Sequence, residues 1–364
     1  MIKIKMTKMA LFTDIHYGAK DAQKNDAQDE GLRHNQDCDR FIDHFCDEVR
    51  KDKEIDCIGF LGDWNQNRTS INLETFKFAY DGAKKINDLG LPVIVILGNH
   101  DLYRQNSRTV HSLHFFEQFD NFHLIEDPEV VKNANAKMHD VFFCPFLMHG
   151  EEASLHSFKK VPLWFGHFEF NGYEITAYGT MMENGADPDE FPEPELIVSG
   201  HFHKRQSKKN KNVVYMGNPF PTSFSDANDD NRGWATYDFR NNEMLFNVWE
   251  DAPSYKRIRL STIIDKGFDD LNDRTYAKVI VDVPISYEES AEIQKEFMKD
   301  KNPRAFSLEE SIEIAAVITE SESSQKWNSD EGATVDEQVV EMLGDIESEY
   351  LDTDVLVDVY TGLE

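Results

Sequence analysis

The sequence predicts an α/β protein whose central strands are buried on both faces. Two observations predict it. Short β-rich apolar runs alternate with amphipathic helical stretches, and five of those runs end in a loop carrying Asp, Asn or His. The strands expected in the first part of the chain are residues 9–12, 57–61, 93–97, 141–144, 163–165, 196–199 and 213–216. Between the early ones, residues 38–49 place Phe41, Ile42, Phe45 and Val49 on one helical face, and residues 71–86 place Phe76, Ala79, Tyr80 and Ala83 on another. Residues 110–119 read as a shorter helix. Residues 234–239 and 244–249, flanking Arg240-Asn241-Asn242-Glu243, read as a hairpin.

The pattern changes over residues 252–261. A strand at 276–283 and a helix at 287–298 follow, and residues 305–318 hold one or two further elements. Residues 319–333 are polar and Ser/Glu-rich, as a linker would be. Val335, Val339, Met342, Leu343, Ile346 and Tyr350 then recur at helical spacing, and a last strand-like run covers 355–360. The domains expected are 1–260, 261–320 and 321–364.

Composition narrows the function. The chain of 364 residues carries a net charge of −30, which argues against holding nucleic acid by bulk charge alone. Residues 261–364 contribute −19 of it. No apolar run reaches the ~20 residues of a membrane helix, and the N-terminus lacks the apolar core of a signal peptide. Cys38, Cys46, Cys57 and Cys144 have no CxxC spacing. That excludes a zinc ribbon and points to reduced thiols in a cytoplasm.

The chemistry sits in the strand-end loops: Asp14-Ile15-His16, Gly62-Asp63, Gly98-Asn99-His100-Asp101, Gly166-His167 and Gly200-His201-Phe202-His203. Open α/β sheets bind ligands beyond the carboxyl ends of their strands, so these loops are expected along one edge. Carboxylate, imidazole and one amide suit Mn, Fe or Zn better than Ca or Mg. The ligands are too many for one ion. Two ions sharing a bridging carboxylate would use them, and Asp63, in the middle of the set, is the natural bridge.

Five such motifs in this order resemble the calcineurin-like metallophosphoesterases over residues 8–237. GHFEFNGYE from Gly166, SGHFH from Ser199 and VVYMGNP from Val213 look like the SbcD / Mre-eleven-type DNA repair nucleases, in particular the phage recombination endonuclease subunit branch. The resemblance implies a two-sheet sandwich flanked by helices, then a small α/β capping domain and a C-terminal helical tail. It implies that Asp14, His16, Asp63 and His203 hold one divalent ion, most readily Mn (Fe, Zn or Mg are alternatives), and Asp63, Asn99, His167 and His201 the other. His100 would stay off the metals and face the scissile phosphate. The activity implied is Mn-dependent DNA exonuclease and endonuclease hydrolysis by a hydroxide bridging the metals, with His100 protonating or stabilising the leaving oxygen. The partners implied are DNA, an ATPase of the SbcC / Rad-fifty type docked on the C-terminal segment, and a second copy through helices at 71–87 and 107–119. The rival readings are a metallophosphoesterase for another phosphate ester, and a non-catalytic assembly module.

One departure stands out. Many members carry a substrate-contacting His three residues past the Asp; here Gln66 takes that place. Around the motifs, Arg104 and Arg108, and Lys204 and Arg205 at the head of a basic run to Lys211, are candidate DNA contacts. His111 and His114 lie near the first pair. Like His34, His44, His123, His139, His149 and His156, they read first as structural. Trp64 reads as core rather than as a stacking surface, and Asp101 as a helix cap rather than a partner for His100; Glu169, two residues past His167, reads first as an ordinary surface carboxylate, with support of a metal ligand as the alternative.

Overall fold

The computed structural model describes residues 2–19, 32–175, 179–267, 271–300 and 302–310. In chain order the elements are β1 (Lys3–Ile4), β2 (Lys8–Phe12), α1 (Leu32–Lys51), β3 (Cys57–Phe60), α2 (Leu73–Asn87), β4 (Val93–Ile96), β5 (Leu102–Arg104), β6 (Ser107–His111), β7 (Phe122–Ile125), β8 (Glu129–Asn133) and β9 (Val141–Cys144). Then come β10 (Leu163–Gly166), β11 (Leu196–Ser199), β12 (Gln206–Ser207), β13 (Val213–Tyr215), β14 (Gly233–Asp238), β15 (Glu243–Val248), β16 (Ser254–Arg259), α3 (Leu260–Lys266), β17 (Thr275–Val281), α4 (Tyr287–Asp300) and β18 (Ala305–Glu310).

Two sheets carry the expected strands. One runs β15-β14-β2-β3-β4-β7 and the other β1-β8-β9-β10-β11-β13-β12. Strands β2, β3 and β4 are mutually parallel, as are β9, β10 and β11. Their carboxyl ends therefore open on common edges, as the α/β reading requires. The sheets face each other across a core that includes Met9, Leu11, Cys57, Ile94, Ile96, Val141, Phe143, Leu163, Phe165 and Val198. Residues alternate along each strand, so Ala10, Phe12, Ile58, Phe60, Val93 and Val95 point the other way, onto α1 and α2.

Helix α1 buries Cys38, Phe41, Ile42, Phe45, Cys46 and Val49, the stripe its spacing predicts, and ends on Arg50 and Lys51, which complement its dipole. Helix α2 is capped by Asn72, whose Oδ1 accepts from Thr75 N at 2.8 Å. The two-sheet sandwich is thus borne out, with helices on one flank. The other flank, over Phe142, Trp164, Ile197 and Tyr215, is covered by 3₁₀ turns and loops bearing Leu155, Phe170 and Phe191.

Among the described residues, one expected helix is absent. Residues 107–119 are not a helix. They form β6, which pairs antiparallel with β5, followed by a 3₁₀ turn at His114–Gln118. The β-branched pair Thr109-Val110 favours extended backbone, and the helical spacing of Leu113, Phe116 and Phe119 is met by 3₁₀ turns instead.

A third sheet, β16-β17-β18, follows the hairpin. With α3 and α4 it forms a core of Leu260, Ile263, Leu271, Ala277, Val279, Val281 and Phe306. Arg304 ties it to α1 through Asp37, at 2.5 and 2.9 Å. The expected C-terminal helix at 334–350 lies outside the described residues. Among the described residues, no helix is long and apolar enough to cross a membrane.

Candidate metal centre

The loops after β2, β3, β4, β10 and β11 converge, and they bring Asp14, His16, Asp63, Asn99, His100, His167, His201 and His203 together. Their backbone is bent to do so. Asp14, His16, Asp63 and His201 all sit at positive φ (54°, 53°, 62° and 85°). Such conformations cost non-glycine residues about 1–3 kcal/mol each and gather at functional sites. Cross-loop bonds hold them: Asp14 N to Gly62 O at 2.9 Å, His16 N to Asp63 O at 3.1 Å, and His201 N to Asp14 Oδ2 at 3.0 Å. Gly62, at φ 98°, admits no Cβ, which would lie 2.6 Å from His167 Nδ1 and 2.7 Å from Gly98 N.

Two lobes share one carboxylate. Asp63 Oδ2 lies 3.6 Å from His16 Nε2 and 3.3 Å from His167 Nε2. In the first lobe His16 Nε2 is 3.0 Å from His203 Nε2 and 3.8 Å from Asp14 Oδ1. In the second, Asn99 Oδ1 is 3.1 Å from His167 Nε2, 2.9 Å from His201 Nδ1 and 3.2 Å from Asp63 Oδ2.

This donor set fits divalent cations. Asp14 and Asp63 are 0% and 1% exposed, and among the described residues the side chains that could offset their charge are all imidazoles. Buried carboxylates otherwise need a cation. Burial pushes His16 down to about 4 against the pull of Asp14 and Asp63, which keeps its lone pairs available. Burial also lowers His167, but the Asp63 charge overcomes it and lifts His167 to about 9, so a cation here displaces a proton. Burial raises Asp63, yet His167 and His16 hold it well below the usual carboxylate range.

Supporting bonds orient the rings. His167 Nδ1 donates to Leu61 O at 2.7 Å and frees Nε2 for a metal. His201 Nε2 meets Glu169 Oε1 at 3.0 Å and frees Nδ1, so Glu169 takes the supporting role that the sequence offered only as the alternative. His100 Nδ1 donates to the Gln66 carbonyl at 2.8 Å. The residue that departs from the motif therefore holds His100 by its backbone.

Asp101 corrects the expectation. No helix follows it and it caps nothing. Its carboxylate accepts from Asp63 N at 2.8 Å, Gly98 N at 2.9 Å and Trp64 N at 3.0 Å, pinning the second motif loop to the third. Burial and the Asp63 charge push its pKa up to about 7, and those N–H donors oppose the shift. Trp64, 1% exposed, is core as expected.

The basic residues are placed variously. Arg108 is 7% exposed and turned inward onto Glu151, Asp127 and the Phe146 carbonyl, which leaves little of its guanidinium for DNA. Lys204 pairs with Glu174 and Lys211 with Asp189. Arg205 stacks over Phe246 at 4.5 Å, and exposed Arg104 lies over Tyr103 at 5.7 Å.

Sequence reasoning missed Arg232, since nothing near it in the chain marks it. It is 1% exposed and donates to the His203 carbonyl (2.7 Å), Asp229 Oδ2 (3.0 Å), Asp226 Oδ1 (3.3 Å) and Asn218 Oδ1. Removing one partner of a buried charge cluster costs about 3–5 kcal/mol. Arg232→Met is therefore expected to lower the urea midpoint by a corresponding amount, and a wild-type midpoint would refute the structural weight given to this cluster.

The calcineurin-like phosphoesterase family profile matches residues 7–205. Exonuclease subunit 1 of Enterobacteria phage T4 is 25% identical over 283 residues, covering 78% of this chain and 77% of that protein. Among solved structures, a dimetal phosphatase from Danio rerio aligns with TM-score 0.36 at 11% identity, over 64% of this chain and 92% of its own. A Pseudomonas putida nuclease aligns with TM-score 0.28 at 14% identity, over 65% and 87%. With the family match spanning more than half its length and covering all five motif loops, the chain belongs to the calcineurin-like phosphoesterases.

Proposed function

We propose that this chain is a two-metal DNA phosphodiesterase, the nuclease subunit of a recombination and repair complex. The observation that carries the reading is its 25% identity, over most of both chains, to a phage exonuclease subunit, joined to a complete ligand set. Two divalent ions, Mn by preference, would supply Lewis-acid polarisation of the scissile phosphate. The rest falls to the chain. Asp14, His16, Asp63 and His203 would hold one ion, and Asp63, Asn99, His167 and His201 the other. His100, fixed through Nδ1, keeps Nε2 for proton delivery to the leaving oxygen.

The test is hydrolysis of linear duplex DNA and of a generic phosphomonoester with added Mn. Mn-dependent DNA cleavage with little monoester turnover is expected. The reverse preference would point to another phosphate ester, and no turnover of either would favour an assembly module.

The reading includes partners. Exposed Leu73 and Phe76 on α2 and Val110 on β6 offer an apolar surface to a second copy. The free, buried thiols of Cys46, Cys57 and Cys144 suit a reducing cytoplasm. The acidic segment 333–364 would dock an ATPase of the SbcC / Rad-fifty type through anchors Val335, Val339, Leu343 and Ile346. Deleting 333–364 should leave Mn-dependent cleavage of short DNA intact while abolishing co-elution with the ATPase and any stimulation by ATP. Undiminished co-elution on size exclusion would refute the docking.

A further inference from the structure

Asn99 is a ligand with only one oxygen, and two groups compete for it. Its Oδ1 faces Asp63, His167 and His201 at 2.9–3.2 Å, while the other end of the same amide lies 2.9 Å from Arg68 Nη2. With its oxygen on the ligands, the amide sets its N–H groups against a guanidinium, donor against donor. Turned over, its oxygen accepts from Arg68 and its two N–H groups face Asp63 Oδ2 at 3.2 Å and His201 Nδ1 at 2.9 Å. A cation among the ligands favours the first orientation; Arg68 favours the second.

Arg68 is held by amides and by no carboxylate among the described residues. Arg108, Lys204 and Lys211 each pair with a carboxylate, whereas Arg68 has no ion pair among the described residues. Its remaining neighbour is Gln105, at the β5–β6 turn, whose amide lies 2.8 and 3.2 Å from Nη1 and Nη2. Arg68 therefore stands at the mouth of the second lobe, on the loop where Gln66 replaces the customary His. In a chain of net charge −30, a phosphodiester needs such a cation, and a guanidinium fork matches phosphate oxygens.

We propose that the Asn99 amide couples metal loading to Arg68. A cation in the Asn99 lobe takes the amide oxygen, the N–H end turns to Arg68, and the guanidinium is released to bind a non-bridging oxygen of the substrate phosphate. The phosphate-binding half of this inference rests on the phosphodiesterase reading; the metal half does not.

The coupling gives opposite signs for two measurements on the full chain. Removing Arg68 removes the competitor for the Asn99 oxygen, so Arg68→Met should bind Mn2+ more tightly at one of two sites, by roughly fivefold or more on titration calorimetry. The same variant should raise KM for short duplex DNA by roughly tenfold, with kcat little changed, because a uniform contact is lost. Arg68→Lys keeps the charge but not the fork, and should shift both quantities the same way. Unchanged or weaker Mn2+ binding in Arg68→Met overturns the gate. Tighter binding in Arg68→Met alone, with Arg68→Lys at wild type, is a bare charge effect and also overturns it. Unchanged KM overturns the phosphate contact. If the wild-type chain cleaves no DNA, the substrate reading falls while the Mn2+ arm still decides the gate.

Discussion

Asp63→Asn is expected to empty both metal positions and abolish hydrolysis. The geometry leaves Asn no acceptable pose. Asp63 Oδ1 accepts from His100 N at 2.7 Å, and Oδ2 stands between His16 Nε2 and His167 Nε2 at 3.6 and 3.3 Å. With its nitrogen at the Oδ1 place, Asn meets the His100 N–H donor to donor. With its nitrogen at the Oδ2 place, it turns a donor toward both cations. Either way the charge binding the two lobes is gone. Lewis-acid stabilisation is worth several kcal/mol, so turnover should fall by roughly 10³-fold or more. The check is metal content by elemental analysis on protein shown folded by circular dichroism. Two fully occupied ions would sink the bridging role.

The reason Asp63 could be picked out early is that its signal is local: an apolar strand, a glycine, then a polar side chain. The same signal marks Asn99, His167 and His201, while Asp14 follows its strand through Thr13 without a glycine, and the structure brings all of them together. Roles set by distant partners left no such trace. Asp101 looked like a cap because helices commonly follow such residues, but its N–H donors include Asp63 and Trp64, 38 and 37 residues away. Arg232 reaches His203 across 29 residues. Strand β7 escaped notice because three of its four residues are only partly buried at the sheet edge, and so give no apolar run. The segment after Asp101 misled for the opposite reason. Its apolar spacing is helical, yet the hydrogen bonds go to a hairpin.

His100→Ala is expected to keep both ions and lose most of the rate. Its backbone amide, which serves Asp63 Oδ1, survives in alanine. What disappears is an imidazole whose Nδ1 donates to the Gln66 carbonyl at 2.8 Å and whose ring meets His16 edge-on at 4.9 Å. The donation to Gln66 fixes one tautomer and leaves Nε2 to handle a proton. General acid catalysis contributes about 10²–10⁴-fold, so kcat should fall within that range while KM for DNA moves little. His16, Asp63 and His100 could also surround an ion by themselves, and the same experiment separates the two roles. If His100 were a ligand, metal content would drop along with rate. If it serves the leaving oxygen, metal content stays at the wild-type value, and a substrate whose leaving group needs no protonation recovers much of the lost turnover. Wild-type kcat in the alanine variant would remove His100 from the mechanism altogether.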